Sequence, residues 1–213
     1  GSGCVKYEIN GKTESISADR VLVSIGRRAQ TQGIGLESIG VLTERGAIVT
    51  NAECQTNVAG VWAAGDVNGK SMLAHTAYRE GEVAVASMCG RHDSVNYDAI
   101  PACIYTNPEV ASVGETEESA KQKGLDYLSK TVTLKMSGRY IAENEGGDGV
   151  IKVLVGREHK NIIGVHMIGS YASEMIYGAA IMVNRQMRVT EALRQVFPHP
   201  TVGEVLREAL FQF

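Results

Sequence analysis

A histidine near the end of the chain stands between two prolines, and a carboxylate follows it five residues later. His199 lies between Pro198 and Pro200, and the carboxylate is Glu204. Because proline fixes its own φ and restricts the residue before it, the backbone around the imidazole has few conformations open to it. Histidine titrates near neutral pH, and a carboxylate bound to one ring nitrogen leaves the other free to take a proton. We therefore predict that His199 and Glu204 are catalytic residues, with the glutamate orienting the histidine.

The same stretch also has a purely structural interpretation. Thr201 and Glu204 have the spacing of a capping box at the start of a helix predicted over 203–211. From the local sequence alone, capping explains Glu204 at least as well as acid–base chemistry does. A lone histidine is also usually a packed or surface residue, so both interpretations stay open at this point.

Two further motifs connect this histidine with a known family. Residues 60–67 read GVWAAGDV, and residues 72–75 read MLAH. Together with the His-Pro-Thr…Glu element they resemble the pyridine nucleotide-disulfide oxidoreductases, flavoproteins that pass electrons between a dithiol and a nicotinamide. Within that family the chain is most similar to the C-terminal portion of the members that oxidise dihydrolipoyl groups. Three separate motifs in the family's order make a chance resemblance improbable.

The resemblance implies an α+β fold in which a dimerisation domain follows the remains of two α/β cofactor domains. It divides the chain into the end of an NAD-binding domain (1–26), the C-terminal segment of an FAD-binding domain (27–95) and an interface or dimerisation domain (96–213). In the last of these, alternating apolar residues and turns predict an antiparallel sheet with helices on one face. The predicted strands there are 104–113, 127–136, 150–155 and 162–168, and the predicted helices are 115–123, 173–184, 189–195 and 203–211.

The first 95 residues are predicted to hold fewer regular elements. Two strands, 5–9 and 15–25, flank Asn10-Gly11, the strongest short signal for a hairpin. The Val-, Leu- and Ile-rich end of the second strand, 20–25, is typical of a buried strand. The remaining predictions are short strands at 47–50 and 61–64 and a helix at 76–89.

The resemblance also implies where the family's two cofactors would lie. Asp66 would accept a hydrogen bond from a ribityl hydroxyl of FAD, since a carboxylate is a pure acceptor. Gly26 would lie beside NAD. The flavin would face the start of the helix after the MLAH motif, where free N–H groups favour negative charge. The residues of that motif are Met72, Leu73, Ala74 and His75.

Each of these residues has an alternative role. A Gly-Asp pair is often only a turn, Gly26 can be a simple turn glycine, and His75 fits helix capping or packing better than acid–base work. Trp62 is interpreted as a core residue and not as one that stacks on a cofactor. An apolar stripe at helical spacing is assigned to the core in preference to a dimer seam, and it comprises Ala172, Met175, Ile176, Ala179, Ala180 and Val183.

Several motifs of the family do not occur in these 213 residues. No GxGxxG is present for either dinucleotide, and no CxxxxC pair is present for the redox disulfide. The four cysteines are scattered and support neither a dithiol nor a metal site; they are Cys4, Cys54, Cys89 and Cys103. We therefore expect the chain to be the C-terminal portion of a larger enzyme, inactive by itself and without a bound cofactor.

Composition fits a folded domain without a nucleic-acid or membrane partner. The chain is 44% hydrophobic and 21% charged, with a formal net charge of −3, and no Lys/Arg run marks a nucleic-acid surface. The longest nearly apolar stretch, Met175–Val183, is too short to span a bilayer. We expect a cytoplasmic protein, or an organelle-matrix protein if a transit segment has been lost.

For the intact enzyme the resemblance implies oxidation of protein-bound dihydrolipoyl groups by NAD⁺, through a cysteine disulfide and FAD. Members of the family are homodimers, joined here through 96–213, in which His199 of one subunit would serve the flavin and dithiol of the other. The implied partners are lipoyl domains of 2-oxo acid dehydrogenase or glycine cleavage complexes. Two alternatives remain: a disulfide reductase of the glutathione or mercuric type, and a non-catalytic dimerisation module. Two positions depart from the family's pattern, because Thr76 replaces the usual lysine and Phe197 replaces an outer histidine.

Overall fold

The computed structural model describes residues 3–213 and shows two unlike parts. Residues 3–95 are mostly loops around a hairpin and one helix, whereas residues 96–213 are organised around one sheet. Gly1 and Ser2, with which the predicted segment 1–26 begins, lie outside the described residues. Across 3–213, no helix combines the length and the apolar character that crossing a membrane requires.

The first part begins with the predicted hairpin. Strands β1 (Gly3–Ile9) and β2 (Lys12–Ala18) pair antiparallel along their whole length. Asn10 and Gly11 form the turn, both with positive φ, a conformation that this residue pair tolerates at little cost. The hairpin prediction is therefore confirmed.

The second strand of the hairpin is shorter than predicted. It ends at Ala18, and residues 20–25 form no strand. Leu22 and Ile25 are 90% and 94% exposed. A buried strand needs neighbours that pair its N–H and C=O groups, and within the described residues no strand lies beside 20–25. The prediction of a buried strand at Arg20–Ile25 is wrong for this structure.

One helix dominates residues 27–95. Helix α1 (Ala74–Met88) begins two residues before the predicted helix 76–89, which places His75 in its first turn. A buried stripe runs along the helix and includes one acidic residue; its members are Thr76, Glu80, Val83, Ala84 and Ala86.

The extended pieces of this part are short. Strands β3 (Thr43–Glu44) and β4 (Ala47–Ile48) form a two-residue ladder, which matches part of the strand predicted at 47–50. The strand predicted at 61–64 does not form, since Trp62 makes only an isolated bridge. Trp62 packs against a small buried cluster, in agreement with its assignment to the core; the cluster is Cys54, Val83 and Ala84.

The second part is built on a five-stranded antiparallel sheet. Its strands are β5 (Ala102–Ile104), β6 (Val110–Gly114), β7 (Tyr127–Thr133), β8 (Val150–Gly156) and β9 (Ile162–Ile168). Their order across the sheet is β5-β6-β9-β8-β7, and every neighbouring pair is antiparallel. The predicted antiparallel sheet is confirmed.

Five helices accompany this sheet, and two of them pack against it. They are α2 (Glu117–Gln122), α3 (Gly138–Asn144), α4 (Ala172–Asn184), α5 (Val189–Ala192) and α6 (Glu204–Leu210). Helix α4 packs on β5, β6 and β9, and α6 packs on β7 and β8. The predicted stripe of α4 joins the main core, except that Met175 is only partly buried. This architecture is the predicted α+β layer.

Three details of this part differ from the prediction. The strand predicted at 104–113 is two strands, β5 and β6, separated by a turn with a cis Asn107–Pro108 bond. The strand predicted at 127–136 ends at Thr133 and continues as a 3-10 turn. Helix α3 is absent from the predicted elements.

Candidate active site

The loop that carries His199 is tied down on both sides of the histidine. The His199–Pro200 bond is cis. The Thr201 hydroxyl donates to the Pro198 carbonyl at 2.7 Å, and the fully buried Ser137 donates its hydroxyl to the Thr201 carbonyl at 2.9 Å. The loop is therefore fixed to itself and to the start of α3.

His199 and Glu204 form a hydrogen-bonded pair. The Nδ1 atom of His199 lies 2.8 Å from Oε2 of Glu204. Since a carboxylate accepts, Nδ1 carries the hydrogen and Nε2 has its lone pair free. The imidazole side chain is 80% exposed, whereas the glutamate side chain is 15% exposed. The imidazole is therefore an accessible proton acceptor, and the carboxylate that holds it is sheltered from solvent.

The capping-box interpretation of Glu204 is wrong for this structure. Gly203 is the N-cap of α6, and no side chain caps that helix. The Thr201 hydroxyl donates to the Pro198 carbonyl and not to the helix. The carboxylate of Glu204, the first residue of the helix, accepts from His199. The buried residues of α6 hold this orientation from the other side of the helix, and they are Val205, Leu206, Ala209 and Leu210.

An apolar groove of about 510 Å³ lies beside the histidine loop. One wall is α4, which contributes Met175 and Met182, and the other is the loop around Phe197 and Pro198. One residue of each charge, Arg139 and Glu174, also lines the groove. Pro198 and Thr201, which lie on either side of His199 in the sequence, line the groove, so the loop that carries the histidine borders a largely apolar surface.

The Gly-Asp pair of the second motif forms a tight turn and leaves its carboxylate free. Gly65 has φ 83° and ψ −161°, a conformation that suits only glycine, and Asp66 begins a 3-10 turn, Asp66–Asn68. Asp66 is exposed, and its carboxylate accepts no hydrogen bond from another residue of the described chain. An unpartnered carboxylate of this kind can accept from a ligand hydroxyl.

The MLAH motif opens α1 without a side-chain cap. Leu73 is the N-cap and makes no side-chain hydrogen bond, so the first N–H groups of the helix remain available within the described structure. His75 does not cap the helix. Its Nε2 lies 2.7 Å from the Pro101 carbonyl, to which it donates, and this bond ties α1 to the second part of the chain.

The structure brings some of the predicted site residues together and leaves others apart. Asp66 and the residues 72–75 lie on one continuous segment. Arg27, the neighbour of Gly26, lines the same cavity of about 550 Å³ as Met72. Gly26 itself is exposed, with φ 125°. Within 3–213, no hydrogen bond joins this group to His199 or Glu204.

A buried carboxylate at the Gly-Asp turn is missing from the sequence predictions. The Glu80 side chain accepts the Gly65 N–H at 2.5 Å through Oε2 and the Tyr97 hydroxyl at 2.7 Å through Oε1. Burial, followed by this hydrogen bond, raises the pKa of Tyr97 well above its ordinary value. The available signal was the position of Glu80 on the apolar face of α1, four residues from Thr76 and from Ala84.

A second histidine–carboxylate pair lies at the far end of α1. His92 Nδ1 is 2.8 Å from Glu53, which also accepts the Ser87 hydroxyl at 3.1 Å. The bond raises the pKa of His92 and lowers that of Glu53. It joins a surface loop to the end of the helix, and no motif in the sequence predicts it.

None of the four cysteines in the described part of the chain is disulfide-bonded. Burial raises the pKa of the Cys54 and Cys103 thiols, which disfavours the reactive thiolate at both. No cluster of potential metal ligands occurs among residues 3–213. The cysteines thus show no sign of a redox pair of their own.

A helix-covered antiparallel sheet that ends in a histidine–glutamate pair, preceded by a Gly-Asp turn and an uncapped helix, defines the class of this molecule. The chain belongs to the pyridine nucleotide-disulphide oxidoreductase family. Residues 100–210 match the dimerisation domain of that family, and residues 2–81 match its pyridine nucleotide-disulphide oxidoreductase domain. The family assignment from three short motifs is thereby confirmed.

Curated relatives are about 40% identical to this chain over the aligned residues. A dihydrolipoyl dehydrogenase of Geobacillus stearothermophilus is 40% identical over 206 residues, which cover 96% of this chain and 44% of the relative. The mitochondrial dihydrolipoyl dehydrogenase 2 of Arabidopsis thaliana is 40% identical over 200 residues, or 93% of this chain and 39% of the relative. The chain therefore spans about two fifths of the length of these relatives.

Solved structures show the same fold. LpdA from Mycobacterium tuberculosis superposes with a TM-score of 0.87 at 25% identity, covering 93% of this chain and 44% of that one. An HOCl-induced flavoprotein disulfide reductase from Escherichia coli superposes with a TM-score of 0.81 at 23% identity, covering 93% of this chain and 46% of that one.

Proposed function

We propose that this chain is the C-terminal portion of a homodimeric dihydrolipoyl dehydrogenase, which oxidises protein-bound dihydrolipoyl groups with NAD⁺ through a cysteine disulfide and FAD. Relatives of that name match nearly the whole chain at about 40% identity. They favour this activity over a glutathione- or mercuric-type reductase. The chain by itself, lacking the GxGxxG and CxxxxC motifs, is expected to be inactive.

The pairing of His199 with Glu204 is the single observation that carries the proposal. The carboxylate holds the ring so that Nε2 faces outward with its lone pair free. A dithiol substrate needs a base of this kind, because the thiolate attacks a disulfide far faster than the thiol does. No other histidine of the described chain combines an exposed ring with a sheltered carboxylate partner and an adjoining apolar groove.

In the proposed reaction His199 takes the proton of a substrate thiol at Nε2. Glu204 orients the ring beforehand and stabilises the imidazolium that forms, since it already accepts the Nδ1 hydrogen. The proton returns from His199 when the thiol leaving group needs one. The nearby groove, with Met175 and Phe197 on its walls, has the apolar character that suits a dithiolane chain or the surface beside it.

The cofactor segment has the donors and acceptors that FAD requires. Asp66 has a free carboxylate for a ribityl hydroxyl, and the start of α1 offers uncapped N–H groups to the flavin edge. When bound, FAD supplies the two-electron relay to the nicotinamide. Gly26 would lie beside the NAD. The contacts of Met72, Leu73, Ala74 and His75 with the flavin would be made largely by the backbone, since the His75 ring is engaged with Pro101.

The proposed organisation has three segments: the end of the NAD-binding domain (1–26), part of the FAD-binding domain (27–95) and the dimerisation domain (96–213). Two subunits would join through 96–213, so that His199 of each serves the flavin of the other. The proposed partners are lipoyl domains of 2-oxo acid dehydrogenase or glycine cleavage complexes, in the cytoplasm or an organelle matrix.

The proposal is tested with the intact enzyme that contains this chain. Dihydrolipoamide with NAD⁺ and oxidised glutathione with NADPH are supplied separately, and nicotinamide absorbance is followed. We expect turnover only with the first pair, together with bound FAD and a dimeric mass. Turnover with glutathione and NADPH alone would replace the proposed substrate. A protein that binds no FAD and turns over neither pair would leave only a dimerisation module.

A further inference from the structure

Glu80 is the only fully buried charged side chain among the described residues. It lies in the middle of α1, on the stripe that faces the Gly-Asp turn. A buried carboxylate is costly unless donors compensate its charge. Glu80 has two donors, one on each oxygen, and they come from two different parts of the chain.

The first donor is the backbone N–H of Gly65, the residue directly before Asp66. The bond measures 2.5 Å and fixes the peptide plane between Ala64 and Gly65. Gly65 has no side chain to hold its position, and a Cβ there would lie 3.3 Å from the Cβ of Ala77. The backbone direction from Gly65 into Asp66 therefore depends on the position of the Glu80 carboxylate.

The second donor is the Tyr97 hydroxyl, at 2.7 Å. Tyr97 begins the 3-10 turn Tyr97–Ala99, on which α4 packs. The residue before it, Asn96, donates its side-chain amide to Asn184 at the end of α4. Tyr97 thus belongs structurally to the part of the chain that carries His199, and Glu80 joins that part to the Gly-Asp turn.

We infer that Glu80 is a positioning residue for FAD: it holds the Gly65–Asp66 turn in its ligand-accepting orientation and, through Tyr97, fixes that turn to the dimerisation domain. This inference rests on the proposed contact between Asp66 and the ribityl chain. Glu80 has no exposed surface and acts only through Gly65. Its removal should weaken FAD binding without removing any group that touches the cofactor.

The test measures the FAD dissociation constant of the intact enzyme by flavin fluorescence, without substrate. Glu80→Ala leaves two donors unpaired, the buried Gly65 N–H and the partly buried Tyr97 hydroxyl, and we expect the constant to rise about tenfold or more. Glu80→Gln keeps an oxygen for Gly65, and its amide can donate to a rotated Tyr97 hydroxyl, so a rise of about threefold is expected. In the apoprotein, exchange of the Gly65 amide should be faster in the alanine variant than in the wild type.

Glu109→Gln is the matched control, because Glu109 likewise accepts from a backbone N–H and a hydroxyl, both of Ser173. The control should lower thermal stability and leave the FAD dissociation constant within about twofold of the wild type. An equal rise in the control, or no rise in Glu80→Ala, would overturn the inference. If Glu80→Ala does not fold, the FAD dissociation constants of Glu80→Gln and Tyr97→Phe provide the test instead. A raised constant in both supports the inference, and an unchanged constant in either overturns it.

A different result would contradict the proposed function without contradicting the inference about Glu80. A wild-type enzyme that binds FAD tightly and does not oxidise dihydrolipoamide would overturn the proposed function. It would leave the effect of Glu80 on FAD binding to be measured as before.

Discussion

Glu204 occupies the first position of α6, yet its carboxylate accepts the Nδ1 hydrogen of His199 and not an N–H of its own helix. A carboxylate at a helix start ordinarily contributes to the helix by meeting its free N–H groups. In this chain Glu204 leaves the N–H groups of α6 without a side-chain cap and instead binds the exposed imidazole of His199. A local structural preference is overridden at the one place where the proposed chemistry needs an oriented base.

Replacing His199 with glutamine should remove most oxidation of dihydrolipoamide by the intact enzyme. Glutamine fills similar space but cannot take up the thiol proton, and general base catalysis contributes about 100- to 10,000-fold. The FAD content and the oxidation of NADH by an artificial electron acceptor should stay near the wild type, because neither needs a thiol base. Near-normal dihydrolipoamide turnover in this variant would remove His199 from the mechanism.

Replacing Glu204 with alanine should lower kcat less than replacing His199 does, by about 10- to 100-fold. The ring would keep its proton acceptor but lose the partner that orients it and stabilises its charged form. Steady-state kinetics on both variants and on the double variant provide the measurement. Because the two residues act as one unit, the double variant should resemble His199→Gln alone. Independent losses that multiply would show that Glu204 has a separate function.

Local sequence was sufficient for the features that short motifs or strong periodicity encode. The Asn10-Gly11 turn, the sheet between Ala102 and Ile168 and the His199 loop all follow from residues close together in the chain. The direction of the Glu204 side chain did not follow, since a capping box and a histidine partner need the same residue types. Which one forms depends on the loop tied down by Ser137, which lies 64 residues from Thr201.

The two predicted strands that do not form in the first part of the chain fail for the same physical reason. Arg20–Ile25 and Val61–Ala64 have the composition of buried strands but lack neighbouring strands among residues 3–213. Strand formation depends on hydrogen-bonded partners more than on propensity. Glu80 was missed for a related reason: its partners, Gly65 and Tyr97, lie 15 and 17 residues away and become visible only in three dimensions.

Two glycine replacements should have opposite effects on stability. Gly164 in β9 pairs with Gly114, the last residue of β6, and a Cβ there would overlap the carbonyl oxygen of the next residue, Glu115. Gly164→Ala should therefore destabilise the fold by about 1–3 kcal/mol. Gly81 lies inside α1 with open space around it, and Gly81→Ala should stabilise by about 0.5–1 kcal/mol. Thermal and denaturant unfolding measure both. Equal effects of the two variants would contradict the close approach of β6 and β9.

The pair of His92 and Glu53 should contribute to stability only over a limited pH range. The bond raises the pKa of His92, so its contribution is present below about pH 6.5 and is lost as the pH rises through the higher folded-state value. It lowers the pKa of Glu53, whose contribution is present above about pH 4.5 and is lost as the pH falls. A double-mutant cycle with His92→Gln and Glu53→Gln, followed by thermal unfolding, should give a larger coupling at pH 5.5 than at pH 8.5. The same coupling at both values would show that the imidazolium form is not the one that matters.

Hydrogen exchange should be slower in 96–213 than in 3–95. The main core lies entirely between Ala99 and Leu210, where helices and sheet bury a continuous apolar layer. The first part has only small clusters, around Ile48 and around Cys54, and its hairpin side chains are nearly all exposed. Because exchange requires local opening, amides protected by few buried contacts exchange first. A deuterium-exchange map of this chain should therefore show the strongest protection in β8 and β9 and fast exchange in β1 and β2. Equal protection across both parts would mean that the first part is held by interactions other than the apolar burial described for 3–95.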